Sequence, residues 1–327
     1  MPDLIRPEGP QADEFRFSRR ALATGGLGGL FFAGYAPAAL AAQASPVTTA
    51  ADGLETANVS YPAPDGFDLP AYVARPQGPG PFPVVVVVSE IFGVHEYIRD
   101  VCRRLARAGY AAIAPAFFVR VADPAGAEMA RVQEIVAAAG YEQVMGDIAA
   151  TLDWASQQLW ANADRVGITG WCWGGKVVWQ AAARFAAIDA GVAWYGRLAP
   201  PANATPEQAA SGAPWPVDLA DDLKAPVLGL YGEADRGIPL DTVEAMRAAL
   251  QRAGQTDSRV EVYPGAPHGF HADYRDSYRA ADAADGWAKL LALFEARLKY
   301  SARPFSPRGR RWPGGPDERV VSLIHAF

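Results

Sequence analysis

The chain is poor in the side chains that most often carry redox and soft-metal chemistry. Its 327 residues include two cysteines and four histidines. There is no C-x-x-C pair to suggest a thioredoxin-like centre. No His/Cys/Asp cluster has ligand spacing, so no metal is expected. The phosphate-cradling G-x-x-x-x-G-K-[ST] pattern is missing, and no other cofactor motif takes its place. No long basic run sits in the central region. The net charge of −6 and pI near 5.3 give no nucleic-acid-binding surface. Beyond the first forty residues, no stretch is long and apolar enough to span a bilayer. There is no internal repeat.

What is present begins with a distinctive N-terminus. Ser18-Arg19-Arg20-Ala21-Leu22 is a twin-arginine pattern. A short Gly-rich apolar run with Leu27, Leu30, Phe31 and Phe32 follows, then Ala39-Leu40-Ala41. This order describes an exported precursor cut after Ala41, with the bacterial twin-arginine translocation machinery as its partner. The expected location is periplasmic or secreted, with residues 1–41 as leader. A membrane anchor or a flexible tail is the competing reading of the same residues. Residues 42–57 are small and polar and read as a mobile mature N-terminus. A folded domain is expected over 58–300, and a Pro/Gly/Arg-rich tail over 301–327. A monomer is expected.

Within 58–300, strand and helix patterns alternate. Strands are predicted at 70–75, 83–89, 110–114, 166–169, 191–194, 226–231 and 259–263. The second holds Val84 to Val88, as expected for a strand buried on both faces. Helices are predicted at 95–108, 124–139, 141–159, 175–184, 240–253 and 280–300, with a long loop over 199–220. Alternation of this kind means an α/β domain, with a mostly parallel sheet and helices on both faces. Cys102 lies on the apolar stripe of helix 95–108 beside Ile98, Val101 and Leu105, where a cysteine acts as a small hydrophobe. Cys172 lies in a glycine-rich turn. Settings this different argue against a disulfide between them, although Cys102 could resolve an oxidised Cys172.

That turn is Gly170-Trp171-Cys172-Trp173-Gly174-Gly175, between a strand and a helix. It follows the nucleophile-elbow pattern G-x-Nuc-x-G with cysteine as nucleophile. The turn is tight enough to require glycine on both sides. It lifts the nucleophile above the sheet and leaves the Trp173 N–H free for an oxyanion. The helix N-terminus favours a thiolate. An inert cysteine in a Gly-rich turn is the alternative. An acid and then a histidine should follow in chain order, each after a later strand. Gly232-Glu233-Ala234-Asp235 supplies the acid, with Asp235 ahead of Glu233. His268 leads in Pro264-Gly265-Ala266-Pro267-His268-Gly269-Phe270, with His271 as rival base. His95 and His325 read as structural, or as part of the tail.

Four motifs in order carry a resemblance: Ser89-Glu90-Ile91-Phe92-Gly93, the elbow, Gly232-x-x-Asp235 and His268-Gly269-Phe270. Over about residues 55 to 300, the chain resembles the dienelactone hydrolase family of α/β-hydrolases. The resemblance implies an enzyme that cleaves a carboxylic ester or lactone of small size, of the carboxymethylenebutenolidase type. It implies Cys172 as nucleophile, His268 as base and Asp235 as its orienter. Glu90 would sit near the thiol and help form the thiolate. Partial desolvation at a strand end should raise its proton affinity. Backbone N–H groups of Ile91 and Trp173 would form the oxyanion hole.

One departure concerns charge. The family's substrate-carboxylate arginine, four residues after the histidine, is matched here by Ala272, and Arg131 lies where a second is expected. Trp171, Trp173 and Phe92 could form an apolar substrate rim, or could be core. A short-chain esterase of different range, a thiol redox protein and a ligand-binding protein on a degenerate hydrolase fold are the alternatives.

Overall fold

The computed structural model describes residues 46–200 and 213–300. The expected leader at 1–41, the expected tail at 301–327 and the middle of the 199–220 loop lie outside the described residues. Eight strands form one sheet: β1 (Leu54–Pro62), β2 (Asp68–Pro76), β3 (Phe82–Val88), β4 (Ala111–Pro115), β5 (Ala161–Trp171), β6 (Ala190–Trp194), β7 (Val227–Gly232) and β8 (Arg259–Tyr263). Their order is β1-β2-β4-β3-β5-β6-β7-β8. Only β1–β2 and β2–β4 pair antiparallel; every other neighbouring pair is parallel. The helices are α1 (Glu96–Arg107), α2 (Met129–Ala138), α3 (Tyr141–Ser156), α4 (Trp173–Arg184), α5 (Leu240–Arg252) and α6 (Ala280–Phe294). This is the mostly parallel α/β-hydrolase architecture.

Every predicted strand and helix is present, with shifted ends. Val84 through Val88 are wholly buried, because helices cover both faces of β3. Helix α1 buries Ile98, Val101, Cys102 and Leu105 and stops at Gly109, whose φ of +91° suits a residue without Cβ. Helix α2 starts later than predicted: residues 124–127 form a turn closed by the Ala127 N–H on the Pro124 carbonyl, with Gly126 at φ +71°. Part of the long loop after β6 is a 3₁₀ segment at Pro216–Asp222.

The largest departure is β1. The segment read as mobile to Ala57 is already strand from Leu54, paired with β2 along its full length. An edge strand has one exposed face, so most of its side chains are exposed, about half are polar, and its apolar signal is thin. Even the residues ahead of it are held: Arg103 and Arg107 of α1 donate to the carbonyls of Thr49 and Ala50. The domain therefore begins earlier than residue 58.

Candidate active site

Strand β5 delivers Cys172, and the backbone there is strained. Cys172 has φ 56° and ψ −116°, a left-handed conformation that a non-glycine residue adopts only when its surroundings force it. Three glycines provide that force by close contact. A Cβ on Gly170 would lie 2.5 Å from the Gly174 carbonyl oxygen, and one on Gly174 would lie 2.4 Å from that of Val88. A Cβ on Gly175 would lie 2.5 Å from the Trp194 oxygen. The elbow is thus wedged between the C-terminal ends of β3 and β6, and the Cys172 N–H is bonded to Trp194 O at 3.0 Å. Trp173 begins α4, so its N–H is one of the amides that a helix's first turn leaves without an intrahelical acceptor.

The loops after β7 and β8 are stitched together, which sets Asp235 against His268. The Ala234 N–H reaches Ala266 O at 2.9 Å, and Gly232 packs where a Cβ would be 2.2 Å from the same oxygen. His268 Nδ1 bonds Asp235 Oδ2 at 2.7 Å, and the Gly237 N–H holds Oδ1 at 2.8 Å. Cys172 lies near enough to act on the imidazole as well. All three side chains are buried. Burial opposes charge on His268, but Asp235 and Cys172 outweigh it and raise its pKa to about 10.

The rivals sit elsewhere. Glu233 is exposed and accepts from the Gly265 N–H. His271 is packed among Trp171, Trp194 and Trp287 and is hydrogen-bonded through Nδ1 to the Tyr97 hydroxyl at 2.6 Å. Burial, with Arg104 nearby, holds its pKa down to about 3, so it is a neutral core group.

Glu90 follows the last residues of β3 and is wholly buried. The expected rise in its proton affinity does not occur. Burial pushes upward, but Arg275, His95 and Tyr274 prevail and lower its pKa to about 2. Arg275 Nη2 lies 3.2 Å from Oε1, the Tyr274 hydroxyl donates to Oε2 at 2.6 Å, and His95 Nε2 is 3.8 Å from Oε2. Arg275 in turn donates twice to the Tyr274 oxygen, at 3.0 and 2.9 Å. Its positive charge also acts on Cys172. His95, read from sequence as structural, thus lies beside this carboxylate.

Sequence reasoning missed Arg275. Ala272 is indeed buried and offers no charge. Two successive turns, the Ala272 N–H on Gly269 O and the Arg275 N–H on Ala272 O, place a guanidinium three residues further on, against Glu90. Arg131 does not join this group; it is half exposed and pairs with Glu134. Of the proposed aromatic rim, Trp171 is wholly buried and stacks on Trp194, so it belongs to the core. Trp173 packs on Phe117 and Phe118, and Phe92 lies beneath the Arg275 guanidinium, 5.2 Å from its centre. Both cysteines are free, and Cys102 is deep in the core, where burial pushes its thiol pKa well up. Among the described residues no cluster of three or more His, Cys, Asp or Glu could hold a metal ion, and no helix is long and apolar enough to cross a membrane.

Comparison with known proteins agrees with this frame. A protein from Methylorubrum extorquens named "Putative carboxymethylenebutenolidase" is 49% identical over 250 residues, covering 76% of this chain and 83% of that one. One of the same name from Escherichia coli K12 is 46% identical, covering 80% of this chain and 94% of its own. The crystal structure of a "Putative Dienelactone Hydrolase" from Klebsiella pneumoniae superposes with a TM-score of 0.68 at 44% identity, covering 74% of this chain and 98% of that one. The family model described as "Dienelactone hydrolase family" matches residues 69–298, from the second residue of β2 to just past α6, and the chain belongs to that family.

Proposed function

We propose that this hydrolase cleaves a small carboxylic ester or lactone, of the carboxymethylenebutenolidase type, through Cys172, His268 and Asp235. The observation that carries the reading is the continuous line from Asp235 through His268 to Cys172, buried at the end of a strained elbow. His268, held by Asp235, takes the proton of Cys172 as the sulfur engages the substrate. The sulfur attacks the carbonyl carbon, and the carbonyl electron pair moves onto oxygen, where the N–H groups of Ile91 and Trp173 receive it. Collapse breaks the bond to the leaving oxygen, which takes the His268 proton. With a lactone the leaving group stays attached as the opened chain. The neutral imidazole then removes a proton from water, and the hydroxide displaces the thiolate to release the acid.

Glu90 helps to hold the thiolate's surroundings through Arg275, and a substrate carboxylate would share Arg275 with it. Because that cation is already paired, neutral short-chain esters are the second reading. Phe92 and Trp173 would flank the acyl group. Export by the twin-arginine route, with action in the periplasm or outside the cell, is part of the proposal and rests on the N-terminal motif.

The test is hydrolysis of p-nitrophenyl acetate, p-nitrophenyl butyrate and a dienelactone by the wild type and Cys172→Ala. Loss of at least about 10³-fold in kcat/KM on replacement is expected. Retained turnover in the variant would remove Cys172 from the mechanism. Turnover of the neutral esters but not of the dienelactone would select the second reading.

A further inference from the structure

Beyond the three residues of the proposed relay, Tyr195 combines two features that are each unusual. It is the one non-glycine residue besides Cys172 with positive φ among the described residues, at 37°. The cause is local crowding. Gly196 packs so tightly on the elbow that a Cβ there would lie 2.2 Å from the Gly175 carbonyl carbon. The Tyr195 N–H is meanwhile fixed to Leu230 O at 2.8 Å. Glycine or asparagine would occupy such a backbone more readily. An aromatic residue placed there needs a use for its side chain.

The side chain has no structural use for its polar end. Tyr195 is wholly buried and its hydroxyl lacks a hydrogen-bond partner. Neighbouring phenols differ: Tyr97 is bonded to His271, and Tyr274 to Glu90. Buried hydroxyls in folded proteins are nearly always paired, so an orphan at a reactive centre points to a ligand. The ring stands edge-on to His268, with centroids 5.0 Å apart, and packs on Phe270 at 5.3 Å. The charges of Glu90 and Arg275 act on its hydroxyl, and Arg275 acts on Cys172. The phenol therefore lies among the groups that surround the nucleophile. Burial and the negative charge on Glu90 keep it protonated, hence a donor.

We propose that Tyr195 contacts the substrate, its hydroxyl donating a hydrogen bond to a substrate oxygen between His268 and the Glu90–Arg275 pair. The inference rests on the ester or lactone hydrolase reading above. The ligand class is an acyl compound with an oxygen acceptor beyond the reacting carbonyl oxygen, either the ring or ester oxygen or a second carbonyl. The backbone strain at 195 fixes the direction of the phenol, much as the elbow fixes the thiol.

The experiment compares wild type, Tyr195→Phe and Cys172→Ala on the same three substrates, with melting temperatures alongside. Tyr195→Phe keeps the ring and the backbone and removes only the oxygen. Expected is a fall in kcat/KM of roughly tenfold, the size of a lost neutral hydrogen bond, with the melting temperature unchanged or higher. An unequal loss across the panel, with KM and kcat separating, would identify which oxygen is bound. Activity within twofold of wild type on all three substrates would overturn the proposal. So would a lower melting temperature with equal losses on every substrate, which would mark the hydroxyl as structural. If wild type and Cys172→Ala turn over alike, the hydrolase reading itself fails, and this assignment with it.

Discussion

Two thiols in one chain have opposite fates, set by where each side chain lies. Cys172 is the better target for iodoacetamide because it ends a strand at a helix N-terminus beside a charged imidazole, whereas Cys102 faces only core. Mass spectrometry of the native protein should find one alkylated cysteine, at 172, with modification at 102 appearing only on unfolding. Arg275 supplies a second prediction. Arg275→Met leaves Glu90 buried without its main counter-charge, so stability should fall by about 3–5 kcal/mol. Adding Glu90→Gln to that variant should recover much of the loss, and a double-mutant cycle by urea unfolding measures the coupling. That Asp235 and His268 meet at the end of the sheet that carries Cys172 was readable from sequence because order along the chain and position after a strand constrain them. Arg275 and Tyr195 were not, since one acts through a loop of successive turns and the other through a single backbone angle. The charge state of Glu90 was misjudged for the same reason: burial is visible in a strand pattern, but the cation that overrides it is not.

Among the elements, the elbow is the one whose sequence and geometry correspond residue for residue. Gly170, Gly174 and Gly175 each meet backbone atoms that cannot move aside. Gly174→Ala should therefore cost about 3 kcal/mol or more, and activity should be lost in whatever protein still folds. Gly140 is the internal control: it precedes α3, and a Cβ there meets nothing within 4 Å. Gly140→Ala should change stability by no more than about 1 kcal/mol by thermal or urea unfolding. The valine strand β3 and the helix around Cys102 were equally legible, because burial on two faces or along one stripe leaves a strong period. Strand β1 was not. Its stability comes from pairing with β2, a tertiary fact that a half-polar edge sequence does not announce.

At the scale of the whole molecule, two titrations bound the pH range of stability. Glu90 has its folded pKa lowered, to about 2, so its contribution is present above the ordinary glutamate value and is lost as pH falls toward 2. His268 is the reverse. Its folded pKa is raised, to about 10, so its contribution is complete below about 6.5 and disappears as pH rises toward 10. Melting temperature against pH should be flat between about 4.5 and 6.5 and fall on both sides. Glu90→Gln should flatten the acid limb, and His268→Gln the alkaline limb.

The stitching of both ends of the domain to one helix has a practical meaning. Arg107 grips the carbonyl of Ala50, and the next residue, Ala108, accepts from Lys299. The entering and departing chain thus meet at the C-terminus of α1, beside the starts of the parallel strands and away from the strand ends that carry Cys172. A short linker should join positions 46 and 300, so a circular permutant opened in an exposed loop is expected to keep its hydrolytic centre. By the same geometry, the domain should tolerate insertion into a host protein, or attachment to a solid support from that side, with the end of the sheet that carries Cys172 facing outward.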